Sequence, residues 1–218
     1  MAEERAAPIA ALAVADPAPL GLGAFALTTF VLSAHNAGWA PDLIWVGLAL
    51  FYGGTTQLLA GMWEFKNRNT FGSTAFSSYG GFWLSLAAFV VLLLFGKIPA
   101  AIVPHSLAWF LLAFAIFNTY MLIASTRVNI AVFGVFLTLE VTEILLFIGF
   151  FQNQAAGAGL VGAGGIVGVI TALVAWYASF AGVVNSLSPT KIIPVGGQLW
   201  GTAPLAPRAG SPLPRTLS

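Results

Sequence analysis

An all-α integral membrane protein, a bundle of six transmembrane helices, is the fold this sequence predicts. Three features carry the prediction. Hydrophobic residues make up 59% of the 218 and charged residues only 7%, against roughly 25% charged in soluble domains. Six apolar segments follow one another at about 20–39, 43–63, 74–95, 105–125, 130–151 and 158–187, each long enough to cross a hydrocarbon core. Basic residues are also partitioned. With six spans and short loops, Arg5, Lys66, Arg68, Arg127, Lys191, Arg208 and Arg215 fall on the side shared by both termini, and only Lys97 falls on the other. By the positive-inside rule both termini are cytoplasmic, and an odd number of spans would scramble the bias.

The first span sets the pattern. The stretch 16–39 reads DPAPLGLGAFALTTFVLSAHNAGW and has no Lys, Arg, Asp or Glu after Asp16 until Asp42. Asp16 can accept from the free amides of a first helical turn, and Pro17 and Pro19 fall where a missing N–H is tolerated. Thr28, Thr29, Ser33, His35 and Asn36 give this helix a polar face. That face suits either a well-capped membrane helix and nothing more, or a helix start presenting amides and a positive dipole end to an anion.

Gln57 lies in mid-membrane in the second span, after Tyr52, Gly53, Gly54, Thr55 and Thr56. A glutamine there must be paired or hydrated, so it either bonds across to another helix or faces an aqueous path. The charged run from Glu64 to Arg68 reads as a cytoplasmic turn. Asn69 or Thr70 can cap the next helix, whose Ser73, Thr74, Ser77, Ser78 and Tyr79 form a polar stripe, and Gly80 and Gly81 permit a bend. Asn118, Thr119 and Tyr120 sit at mid-depth in the fourth span. The pairs Ala158 with Gly162 and Gly164 with Gly168 open the sixth with small-xxx-small spacing, read as a helix–helix or subunit contact.

The fifth span carries Glu140 and Glu143, three apart and so on one face, with Thr138 and Thr142 beside them. An ionised carboxylate at this depth is costly, and no basic residue lies within a span. Each is therefore expected to be protonated or wet, either bonded to neighbours at an oligomer seam or acting as a proton-binding pair.

Other functions are excluded by what is missing. There is no cysteine, only two distant histidines, no metal-ligand spacing, no cofactor loop and no catalytic constellation, so neither an enzyme nor a cofactor is expected. A net charge of +1 argues against nucleic acid as a partner. Residues 1–15 read as an exposed tail, 16–187 as the six-helix domain, and 188–218, with six prolines, as an irregular cytoplasmic tail.

These motifs together resemble the acetate uptake transporter family, the succinate–acetate permeases. The family heptad N-P-A-P-L-G-L stands here as D-P-A-P-L-G-L from Asp16 to Leu22. Further matches are Thr28-Thr29, the HN-x-G of His35, Asn36 and Gly38, and FYGG-x-x-Q-x-x-AG from Phe51 to Gly61. The block E-x-K-x-x-NTFG-x-TAF-x-SYG-x-FW runs from Glu64 to Trp83, and Val183, Asn185, Pro194 and Gly196 match the family's end. The resemblance implies a homohexamer with one pore per protomer in the cell membrane. It implies a channel or proton symporter whose cargo is acetate, or in some members succinate. It also implies a constriction of three side chains, which fall on Phe25, Tyr79 and Leu139. Leu20, Gly21, Thr28, Thr29, Asn36, Gln57, Thr74, Ser78 and Asn118 are the expected path residues, because a small carboxylate needs donors without a buried full charge.

Two departures stand out. Asp16 replaces the family asparagine, and the acidic Glu140 and Glu143 occupy apolar positions of the family. They leave open a conduit for ammonium or another small cation or neutral solute. The helix-six glycines and the tail would also suit a sensor or assembly protein that does not transport.

Overall fold

The computed structural model describes residues 14–41 and 43–201. Asp42, most of the expected N-terminal tail and everything after Gly201, including Arg5, Arg208 and Arg215, lie outside the described residues. Six helices, Ala18–Asn36, Ile44–Lys66, Thr70–Leu94, Ala100–Ser125, Ile130–Phe151 and Gly159–Ser186, are long and apolar enough to cross a membrane. The protein is a multi-pass integral membrane protein.

In chain order the α-helices are α1 (Ala18–Asn36), α2 (Ile44–Leu50), α3 (Gln57–Lys66), α4 (Thr70–Leu94), α5 (Val103–Ser125), α6 (Ile130–Phe151) and α7 (Gly159–Ser186). A π-helical turn, Phe51–Thr56, joins α2 to α3, so the second span is not a uniform helix. The sequence explains the widened turn. Thr55 and Thr56 donate their hydroxyls to the carbonyls five residues back, Leu50 (2.8 Å) and Phe51 (2.9 Å). Gly53 lies so close to α1 that a Cβ there would meet Thr28 Oγ1 at 2.6 Å.

The first span ends earlier than its apolar composition suggests. α1 stops at Asn36, and Gly38 turns the chain at φ 78°, a conformation open to glycine at little strain. Asp16 Oδ1 accepts from the Ala18 N–H at 2.9 Å. Pro17 supplies the carbonyl of the first helical bond, to the Gly21 N–H at 3.1 Å. Asn69 caps α4 by accepting from Gly72 N–H at 3.1 Å, and Asn129 caps α6 through Val132 N–H at 2.9 Å. Asn69→Ala is expected to lose about 1 kcal/mol of stability, read as a lower melting temperature in detergent. An unchanged melting temperature would show that water replaces the cap.

Close helix approaches are glycine-made. On α7, a Cβ at Gly165 would lie 2.6 Å from the Asn36 carbonyl carbon of α1, and one at Gly164 would meet Leu146 of α6 at 2.9 Å. The small-residue run thus packs α7 against α1 and α6 within one protomer. Gly80 of α4 lies against the backbone of Leu58, where a Cβ would be 2.7 Å from its amide nitrogen. α4 continues as α-helix through Gly80 and Gly81, so these residues serve close packing and no break in the helix.

One expectation is corrected. Glu64 is not part of an exposed turn: it lies within α3 and is fully buried. The described segment after Ser188 has no helix or strand and is mostly exposed, yet it is tied to the helix ends. Asn185 Oδ1 accepts from the amides of Ile192 (2.8 Å) and Ile193 (2.9 Å), and Tyr177 Oη donates to the Pro194 carbonyl. Ala131 N–H donates to Val195 O (3.0 Å), and Leu199 N–H donates to Thr126 O (2.8 Å). These bonds strap residues 192–199 across the ends of α5, α6 and α7.

Candidate functional site: two cavities and a shared neck

Helices α1, α2, α4, α5 and α6 line a cavity of about 340 Å³, whose wall reaches Asn36, Leu94, Val103 and Phe150 at the helix ends away from Ala18 and Ser186. A smaller cavity of about 90 Å³ lies on the terminal side, lined by Ala18, Gln57, Glu64, Asn69 and Val132 among others. α7 lines neither cavity and supports α1 and α6 from behind. Three residues line both cavities: Phe25 from α1, Tyr79 from α4 and Leu139 from α6. All three are buried, at 5%, 3% and 6% exposure. The rings of Phe25 and Tyr79 meet edge to face, with centroids 5.7 Å apart. Phe82, Phe114 and Phe117 pack around the rest of the Tyr79 ring. Such contacts fix an aromatic side chain more firmly than area burial alone.

Thr29, Trp45 and Trp83 line the larger cavity, and their Oγ1, Nε1 and Nε1 atoms are buried with no hydrogen-bond partner among the described residues. Buried donors are nearly always bonded, so these three are donors left over in the packing of the cavity wall. Among the described residues no lysine or arginine lines either cavity.

Of the path residues expected from sequence, Thr29 and Asn36 line the larger cavity and Gln57 the smaller, with Gln57 Oε1 lacking a partner. Gln57 therefore shows no bond from that oxygen to another helix. Leu20, Gly21, Thr28, Thr74 and Ser78 line neither cavity. Leu20 points outward at 48% exposure. Gly21 sits under the Phe76 ring, where a Cβ would be 2.7 Å away. Thr28 gives its hydroxyl to Ala24 O at 3.0 Å and packs on Gly53. Asn118 is fully buried behind the neck, not on the cavity wall.

Asn118 ties the neck to both glutamates. Tyr79 Oη lies 3.0 Å from Asn118 Oδ1 and 3.3 Å from Glu143 Oε1. Asn118 Nδ2 donates to Glu140 Oε2 at 2.7 Å, and Thr119 Oγ1 lies 2.8 Å from Glu140 Oε1. Glu143 lines the larger cavity; Glu140 turns toward α5. Glu64 went unrecognised in the sequence. It has an unpartnered Oε1 and lines the smaller cavity, beneath the first turn of α4, where a Cβ on Gly72 would lie 2.6 Å from that oxygen. The only signal was its position beside the Asn69–Gly72 helix start.

The fold and this site define a class: a six-span membrane protein whose helices hold two cavities with Phe25, Tyr79 and Leu139 as common wall. The chain belongs to the GPR1/FUN34/yaaH family, whose profile matches residues 2–196, in agreement with the resemblance read from its motifs. It is 44% identical over 204 residues to Acetate permease A of Emericella nidulans, covering 85% of this chain and 67% of that one. It is 37% identical over 186 residues to the Succinate-acetate/proton symporter SatP of Escherichia coli, covering 84% of this chain and 96% of that one. The structure of the bacterial acetate channel SatP superposes with a TM-score of 0.79 at 34% identity, covering 84% of this chain and all of that one. The chain spans 62% of the length of some fungal relatives it matches.

Proposed function

We propose that this protein is a membrane permease for short carboxylates, acetate first and succinate-like acids second, with cargo passing from one cavity to the other through the Phe25–Tyr79–Leu139 neck. The observation that carries the reading is the pairing of that neck with a larger cavity lined, among the described residues, by no lysine or arginine and by Thr29, Trp45 and Trp83, whose hydroxyl and indole donors have no partner there. Neutral donors can stabilise a carboxylate without trapping it, which conduction requires. Thr29 and Asn36 serve the larger chamber and Gln57 the smaller. Proton coupling, acetate permeation and channel-like behaviour are what the relatives' names describe, and they enter here as the proposed activity.

Labelled acetate uptake into liposomes holding the pure protein tests the reading. Uptake well above that of empty liposomes is the expected result. Uptake no faster than in empty liposomes, under both a pH gradient and a membrane potential, would overturn it. A second reading, a conduit for ammonium or another small cation, is favoured by the unpartnered Glu143 Oε2 of a cavity-lining residue. Ammonium flux without acetate flux in the same liposomes would select it.

The proposal extends to assembly and orientation. Six protomers associate, each with its own path, and both termini face the cytoplasm of a cell membrane. Lys66, Arg68, Arg127 and Lys191 at the terminal side, with Lys97 opposite, support the orientation. The many large apolar side chains left exposed on α5, among them Trp109, Ile116 and Ile123, suit lipid or a neighbouring protomer. The native mass of the detergent-solubilised protein tests the hexamer.

A further inference from the structure

Counting hydrogens around Tyr79 bears on the proton of Glu143. Asn118 Nδ2 has two hydrogens, and both have acceptors: Phe136 O at 2.9 Å and Glu140 Oε2 at 2.7 Å. This orients the amide so that Oδ1 faces Tyr79 Oη and needs a donor. The Tyr79 hydroxyl carries one hydrogen. If it goes to Asn118, the 3.3 Å contact to Glu143 Oε1 is a hydrogen bond only when Glu143 holds a proton and donates it to Tyr79 Oη. Glu140 is placed differently: Asn118 Nδ2 donates to its Oε2 at 2.7 Å, and the single Thr119 hydroxyl hydrogen has two acceptors in reach, Ala115 O at 2.9 Å and Glu140 Oε1 at 2.8 Å.

The surroundings of Glu143 fit a neutral acid. It is 2% exposed, and its Oε2 has no partner. The titratable groups on the elements packed around it are Tyr79 from α4, Glu140 on α6 itself and His35, which lines the same cavity from α1. His35 lies about 15 Å along α1 from the neck residue Phe25, and Glu143 about 6 Å along α6 from Leu139, at 1.5 Å per residue. Tyr120 of α5 stands behind, against Phe117. α7 offers Thr171, bonded to Thr142, and α2 offers the Trp45 indole.

We propose that Glu143 holds a proton while the neck conducts, and that loss of this proton closes the neck to carboxylates. On deprotonation the proton leaves to water through the larger cavity. The Tyr79 hydrogen then turns from Asn118 Oδ1 to Glu143, Asn118 Oδ1 loses its donor, and a fixed negative charge appears beside the cargo. This rests on the permease reading and adds its regulation: rising pH on the side of the larger cavity shuts off flux.

Acetate flux in liposomes, measured above the range where acetate itself titrates, tests the proposal. Wild-type flux is expected to fall about tenfold per pH unit once a single group ionises, and Glu143→Gln, which cannot ionise, is expected to flatten that profile. Identical profiles would overturn the proposal while leaving permeation intact. No wild-type flux at any pH would overturn the permease reading instead, and the protonation would then be decided by infrared spectroscopy of the purified protein. At neutral pH a protonated-carboxyl C=O band should be present in wild type and Glu140→Gln and be lost in Glu143→Gln. A band unaffected by Glu143→Gln, or lost in Glu140→Gln, would overturn the assignment. If Glu143→Gln does not fold, Glu143→Met, uncharged and of similar length, replaces it in both measurements.

Discussion

Leu139→Ala and Phe25→Ala should each raise succinate uptake relative to acetate about tenfold, the effect of removing roughly 1.4 kcal/mol of steric barrier. Both side chains border the two cavities, so truncation joins existing space and does not open a sealed void. The stability loss should therefore stay below the several kcal/mol typical of a packed-core truncation. Tyr79 is a poorer first target because its hydroxyl also serves Asn118 and Glu143. Competition between labelled acetate and succinate in liposomes gives the ratio. Unchanged selectivity in both variants would place the narrow point elsewhere.

Gly165→Ala should be among the most damaging additions of a single methyl group at the described glycines. Its Cβ would lie 2.6 Å from Asn36 C and 2.7 Å from Ser33 O, both backbone atoms of α1, so no side chain can yield. Overpacking of this kind commonly costs 1–3 kcal/mol, and here the upper end, about 3 kcal/mol, is expected. The helix it pushes carries Phe25, Thr29 and Asn36, so flux should fall with stability. Gly81→Ala, where nothing lies within 4 Å, is the matched control and should be silent. A Gly165→Ala protein with the wild-type melting temperature would contradict the close packing of α1 and α7.

Much of this was legible in the chain itself. The six spans declare themselves because lipid requires long apolar runs, and Asn69 is recognisable as a cap by its place before an apolar helix. The glycines of α7 read correctly as a packing face. What the sequence concealed depends on three-dimensional partners. Glu64 sits in a charged run that looks solvated, yet the α4 start and Gly72 fold over it. The π-helical turn needs Thr55 and Thr56 to bond back five residues, a pattern that hydropathy does not encode. Thr28 and Thr74 look like path residues by polarity alone, but Thr28 bonds within its own helix, as threonines in helices often do. The strap at 192–199 is held by Asn185 and Tyr177, and proline content alone suggests a loose tail there.

Because the chain has no cysteine, single introduced thiols report the route without background. Thr29→Cys places one on the larger cavity and Ala75→Cys one on the smaller, and both native residues are buried from the outer surface. With a small, membrane-impermeant thiol reagent added to one face of oriented liposomes at a time, Thr29→Cys should react only from the side opposite the termini. Ala75→Cys should react only from the terminal side, and both reactions should slow when acetate is present. Failure of either thiol to react from any side, or reaction of one thiol equally from both, would contradict two chambers meeting at a neck.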